Sequence, residues 1–145
     1  MQKKGVKLTG MRLFFDGKTA SKFTFPTKIS FKETSRSHVL NDEATQAYFE
    51  EDGFTTVFDG EVSFAGVGTK KELIINFTSP YEYKGGNLCM DFECPLGSTV
   101  MNQYDHPDWY LFEEIGTETP HTAYCNGNSK EMALNEVYGA DFMPV

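Results

Sequence analysis

The feature that most constrains this chain is a period of two in its apolar residues, repeated in short runs. Ile29 and Phe31, Val62 and Phe64, Leu73, Ile75 and Phe77, and Leu88, Met90 and Phe92 each fall at alternate positions. In extended chain, successive side chains point to opposite faces, so each run predicts a strand with one face buried. Turn signals separate the runs: Asp16-Gly17, Gly85-Gly86 and Asn126-Gly127-Asn128-Ser129. Leu8, Met11, Leu13 and Phe15 predict a first strand, irregular at Gly10 and ending at Asp16-Gly17. Phe23-Thr24-Phe25 and Ile29-Ser30-Phe31 alternate on either side of Pro26, which has no N–H and marks a bulge, an edge or a break.

Further on, Phe54, Thr56, Phe58, Gly60, Val62 and Phe64 share one parity, interrupted at Asp59-Gly60 by either a hairpin or a bulge. Gly66 to Lys71 reads as a polar loop. Trp109 to Ile115 and Thr119 to Cys125 are further strand candidates. Helical spacing is confined to Asn41–Phe49, where Asn41 or Asp42 can cap, and to Lys130–Val137. Seven or more short strands without βαβ alternation predict an all-β fold. The expected architecture is an antiparallel β-sandwich or jelly roll of about eight strands, with at most one or two short helical turns. A chain of 145 residues is long enough for one domain with a core of its own, so residues 1–145 are expected to form a single β-sandwich domain.

Composition agrees and narrows the partners. Aromatic residues make up 14% of the chain, with 13 Phe, which suits pleated and half-buried surfaces. The net charge of −8 is uneven: Met1–Lys71 holds 11 Lys+Arg against 9 Asp+Glu, and Glu72–Val145 holds 2 against 12. An acidic half repels phosphate backbones, so nucleic acid is not an expected partner. No apolar run approaches the ~20 residues of a membrane span. Met1-Gln2-Lys3-Lys4-Gly5 carries charge without an apolar stretch behind it and does not read as a signal peptide; for an exported protein the leader would lie on a longer precursor.

The motifs of catalysis are missing. His38, His106 and His121 are spaced by 68 and 15 residues and match no metal-binding pattern. There is no nucleophile elbow, P-loop or dinucleotide fingerprint. Glu113-Glu114 are neighbours that face opposite ways on a strand, so they cannot act as a hydrolytic pair. No enzyme activity, catalytic residue, metal or cofactor is expected. Cys89, Cys94 and Cys125 make an odd count. Cys89 reads as a small core residue, and Cys94 with Cys125, both near strand ends, is the pair expected to form a disulfide in an oxidising compartment.

Two segments stand out as candidates for recognition. Tyr104-Asp105-His106-Pro107-Asp108-Trp109-Tyr110 gathers two carboxylates, a His, the only Trp and two Tyr into seven residues. Sugars are held by aromatic faces and by hydrogen bonds from acids, so Tyr104, Asp105, His106, Asp108, Trp109 and Tyr110 are the expected ligand-binding residues. The alternatives are a loop whose Trp109 enters the core, or an oxygen site on Asp105 and Asp108, for which two carboxylates are a poor start. The other segment is Tyr81-Glu82-Tyr83-Lys84-Gly85-Gly86-Asn87-Leu88, read as a hairpin joining two core strands. Its Gly-Gly supplies positive φ, and its tyrosines either pack on the sheet or form a sugar platform.

This second segment resembles the aromatic-x-Tyr-x-Gly-Gly-Asn-Leu signature of a β-sandwich module found in surface and secreted proteins of Bacteroidetes-type bacteria. Met11–Phe15, Thr27–Thr34 and Phe54–Phe64 are similar to its earlier strands, so the resemblance covers about Met11 to Phe92. It implies a jelly-roll-like, non-catalytic accessory module of the kind found beside fibronectin-type, cleaved-adhesin and protease or glycanase domains. It further implies a cell-surface or extracellular setting, adhesin-like or carbohydrate contact, and a glycan, another surface protein or neighbouring domains as partners. A structural spacer and a small glycan-active enzyme are the alternatives. Val100 to Ile115 has no counterpart in the module. Family domains add a strand after a segment like Phe142-Met143-Pro144, so a chain ending at Val145 is expected to be an excised domain or to leave an edge unpaired.

Overall fold

The computed structural model describes residues 5–36 and 52–93 in full, and the backbone of strands at 108–109, 111–113, 122–124, 138–140 and 142–144. Ten strands are described: β1 (Val6–Gly17), β2 (Lys22–Thr34), β3 (Thr55–Ala65), β4 (Gly68–Tyr83), β5 (Asn87–Glu93), β6 (Asp108–Trp109), β7 (Leu111–Glu113), β8 (Thr122–Tyr124), β9 (Tyr138–Ala140) and β10 (Phe142–Pro144). There is no helix among the described residues, and every strand pairing is antiparallel. The all-β class expected from the alternation is therefore correct. The two helix-like patches, Asn41–Phe49 and Lys130–Val137, lie outside the described residues.

The chain divides into two compact units. The first takes Met1–Thr34, Gly53–Tyr110 and Val145, and the second takes Ser35–Asp52 and Leu111–Pro144. The first unit holds two three-stranded sheets, β4-β1-β6 and β3-β2-β5; the second holds the pairs β10-β7 and β8-β9.

The core of the first unit is drawn from both of its sheets. Leu13 and Phe15 of β1 and Leu73 and Ile75 of β4 meet Phe23, Ile29 and Phe31 of β2 and Val57, Val62 and Phe64 of β3, all at most 8% exposed. Phe64 is the hub, with ring centroids 5.2 Å from Phe15, 5.5 Å from Phe23 and 5.5 Å from Phe25. Phe31 stacks edge-on against Phe77 of the other sheet at 5.4 Å. Such pairs contribute about 0.5–1.5 kcal/mol beyond the area they bury.

Two irregularities decide which residues reach this core. In β1 the pairing jumps from Leu8↔Tyr81 to Gly10↔Asn76, confirming the irregularity expected at Gly10. A side chain on Gly10 would stand 2.7 Å from the carbonyl oxygen of Ile75, which is why the position is Gly. In β3 the pairing jumps from Ile29↔Phe58 to Ser30↔Thr56, so Val57 is the extra residue of a bulge. The single parity expected from Phe54 to Phe64 is thus broken one turn of the pleat before Asp59-Gly60. Val57 points inward, Thr56 is exposed, and the inward set resumes on even numbers at Val62 and Phe64. Gly60 sits within continuous strand, opposite Thr27.

The stretches flanking Pro26 belong to one strand, β2, which leaves the edge reading of Pro26. Among the described residues, Pro26 pairs only with Glu61 of β3, and the β5 ladder begins two residues later at Lys28↔Glu93, so its missing N–H falls where one described strand lies beside β2. Two further expectations are corrected. The polar loop expected at Gly66 to Lys71 shrinks to Gly66-Val67, since β4 begins at Gly68. Lys70 takes a positive φ of 51°, and its N–H donates to Asp16 Oδ1 at 2.7 Å, so Asp16 fixes the start of β4. Lastly, Tyr81 to Leu88 is not a hairpin. β4 pairs with β1 and β5 pairs with β2, so the Gly-Gly segment carries the chain from one sheet to the other.

Candidate functional site

This crossing between sheets is the most fully described of the two segments singled out by the sequence. Glu33, near the end of β2, turns its carboxylate into the Lys84-Gly85-Gly86 backbone. Its Oε1 accepts the N–H groups of Lys84 at 2.6 Å, Gly85 at 2.8 Å and Gly86 at 3.3 Å. Successive backbone N–H groups that converge in this way form a cradle for an anion, and here the anion is supplied by the chain itself. Gly85 has the positive φ, 102°, that lets the three donors converge. Tyr83 closes the other side by donating its hydroxyl to the Gly86 carbonyl at 2.6 Å.

The electrostatics follow the geometry. Partial desolvation pushes the Glu33 carboxyl up, but the N–H groups of Gly86, Lys84 and Gly85, with the Lys84 ammonium, outweigh it and hold the group below the usual carboxylate range. Tyr81 moves the other way. Burial raises its phenol, the Glu33 charge adds to the effect, and a backbone hydrogen bond with Glu33 offsets part of it. The Tyr81 ring lies 5.5 Å from Phe31 and belongs to the shell packed on the core. Both tyrosines therefore have structural partners: Tyr81 packs on the core and Tyr83 closes the crossing.

A second polar row crosses the face of the β3-β2-β5 sheet opposite Ile29 and Phe31. Lys28 Nζ donates to Glu93 Oε1 at 3.1 Å, with Asp59 paired to Lys28 on its other side. The Lys28 ammonium is held above its usual range by this hydrogen bond and the Glu93 charge, against slight desolvation, with Asp91 and Asp59 adding to it. Beside it Ser30 is 2% exposed and shares a 3.1 Å hydrogen bond with Thr56. Among the described residues, no three His, Cys, Asp or Glu side chains are grouped to hold a metal ion.

No family model, curated protein or solved structure matches this chain. The fold and its contacts are therefore what bears on function.

Of the residues expected to bind ligand, Asp108 and Trp109 form β6, which pairs with β1 at Asp16↔Asp108 and Phe15↔Trp109. Tyr104, Asp105, His106 and Tyr110 lie outside the described residues, as do Cys94 and Cys125 of the expected disulfide. The strand expected from Trp109 to Ile115 is represented by β6 and β7. The end of β1 that receives β6 also carries the Lys18–Ser21 and Gly66-Val67 connections. Between these connections, a dent lined by Phe15, Thr19, Phe23, Phe64 and Gly66 has room for about 10 Å³, at most one water. Cys89, expected in the core, is half-buried instead.

The contacts of Glu33 and Asp16 were not anticipated. Each reaches backbone more than fifty residues away, at Lys84–Gly86 and at Lys70. The local signals were the Gly-Gly pair itself, which marks a conformation able to aim several N–H groups at one point, and the Asp-Gly step that ends β1.

Proposed function

We propose that this chain is a β-sandwich module without catalytic activity, from a bacterial surface or secreted protein, whose ligand contact is made by the segment Tyr104 to Tyr110. The observation that carries this reading is the seating of β6. Asp108 and Trp109 are joined by a ladder to the end of β1 whose side chains, Leu13 and Phe15, are locked in the core. Recognition residues held on a rigid β scaffold, beside the connections that leave it, are the usual way such modules meet a ligand. The two three-stranded sheets of the first unit, closing on one set of aromatic side chains, support the sandwich arrangement. The composition of the segment favours a carbohydrate, with another surface protein as the next class.

The test is a glycan array with the intact chain, repeated with Trp109→Ala and Tyr110→Ala. Binding that falls roughly tenfold or more in the variants is expected, because one aromatic platform is lost with each. Glycan binding that both variants retain would move the site elsewhere. A chain that binds no glycan is better read as a spacer, which the structural use of Tyr81 and Tyr83 favours. Turnover of any polysaccharide would replace the reading with a glycan-active enzyme.

A further inference from the structure

We infer that β5 is an acid-releasable strand, clipped to β2 by a carboxylate at each end. At its start, Glu33 of β2 binds the three N–H groups that lead into Asn87. At its end, Glu93 binds Lys28 of β2 at 3.1 Å. Between the clips, Leu88, Met90 and Phe92 lie on the face that bears Ile29 and Phe31, yet they remain 40%, 37% and 38% exposed. The core residues of β1 to β4 are 8% exposed or less, so burial of this apolar face holds β5 more weakly than the core holds its neighbours.

The charged and titratable groups around the clips set the direction. Glu33 faces the Lys84 ammonium and Tyr81, both beside the crossing. Glu93 faces Lys28 of β2, with Asp91 on its own strand and Asp59 of β3 around the same ammonium. A carboxyl held below its usual range contributes stability that is complete above its unfolded pKa, about 4.3 for Glu, and is lost as pH falls through the folded value. Protonation therefore weakens the Glu33 cradle, and a neutral Glu93 no longer pairs with Lys28. Both clips fail in the same direction of pH, while the apolar core has no carboxylate to lose. The release uncovers the Lys28–Thr34 edge of β2.

Amide hydrogen exchange on the intact chain, corrected for intrinsic rates, tests this between about pH 7 and 2.5, a span that passes through the titration of a lowered carboxyl. Protection of Leu88 to Phe92 should fall roughly tenfold or more relative to β1 and β4, the scale expected for losing charge-assisted hydrogen bonds. The E33Q/E93Q double variant keeps the shape and removes both charges. Its β5 should exchange fast already at neutral pH and change little on acidification. If the double variant does not fold, E33Q and E93Q singly should each flatten part of the pH dependence. Protection of β5 that tracks the core throughout, or variants that keep the wild-type pH profile, would overturn the inference.

Discussion

At the scale of single residues, much of this structure turns on backbone groups satisfied from a distance. The bulge at Val57 leaves a carbonyl outside the ladder, and Thr78 Oγ1, from the other sheet, donates to it at 3.0 Å. Thr78→Val keeps the shape of the side chain and removes the donor. Leaving a half-buried carbonyl unsatisfied costs about 1–3 kcal/mol, so the midpoint of denaturant unfolding should fall accordingly. An unchanged midpoint would mean that water replaces the hydroxyl. The glycines separate into two kinds. A Cβ on Gly17 would overlap the Gly66 carbonyl oxygen, backbone against backbone, whereas one on Gly60 would only touch the Phe58 ring at 3.4 Å. Gly17→Ala should therefore cost at least ~3 kcal/mol or abolish folding, and Gly60→Ala well under ~1 kcal/mol, measured in the same unfolding experiment. By contrast, Arg12 and Glu72 meet at 3.6 Å with side chains 55% and 43% exposed, and removing either should change stability by no more than ~0.5 kcal/mol.

Among the elements, the strands differ in how firmly they are held. Phe64 of β3 touches three other rings, and Phe64→Ala should cost about 3–5 kcal/mol. Met90→Ala in β5 removes a side chain that is already 37% exposed and should cost less than half as much; thermal unfolding of the two variants compares them directly. The period of two located these elements well. β1, the two halves of β2, and the Leu73 to Phe77 part of β4 follow from alternation, because side-chain parity is a local property of extended chain. What alternation could not provide was the pairing. The Gly-Gly segment has the same local chemistry whether it returns the chain to its own sheet or sends it to the opposite one. Only the long-range partners, β1 for β4 and β2 for β5, decide between these outcomes. In the same way the parity slip at Val57 is invisible locally, since a bulge is fixed by the strand across from it. Of the expected ligand segment, composition identified the residues, and the placement of Asp108 and Trp109 on β1 depended on a ladder spanning more than ninety residues.

Over the whole molecule, charge follows the division into units more closely than it follows the two halves of the sequence. The second unit, Ser35–Asp52 and Leu111–Pro144, carries 11 Asp+Glu and 2 Lys+Arg, a net −9. The first unit carries 10 Asp+Glu and 11 Lys+Arg, a net +1. Like charges in one compact body repel, and salt screens them over a distance of about 30 Å at 0.01 M and 3 Å at 1 M. Added salt should therefore raise the exchange protection of β8 and β9 while leaving that of β1 and β4 nearly constant. Equal responses in the two units would show that the charge segregation has no energetic effect.

The Val57 bulge also bears on how this chain tolerates change in length. Above and below it, β3 is paired in register with β2, and the residues on either side, Thr56 and Phe58, face consecutive partners, Ser30 and Ile29. Deleting Val57 would join them into an uninterrupted ladder without moving any other pair. The strand would lose one buried side chain, about 1.5–3 kcal/mol, and keep its frame. In most half-buried strands, loss of one residue turns every later side chain to the wrong face. β3 thus contains one position at which its sequence can shorten by a single codon and still specify the same sheet.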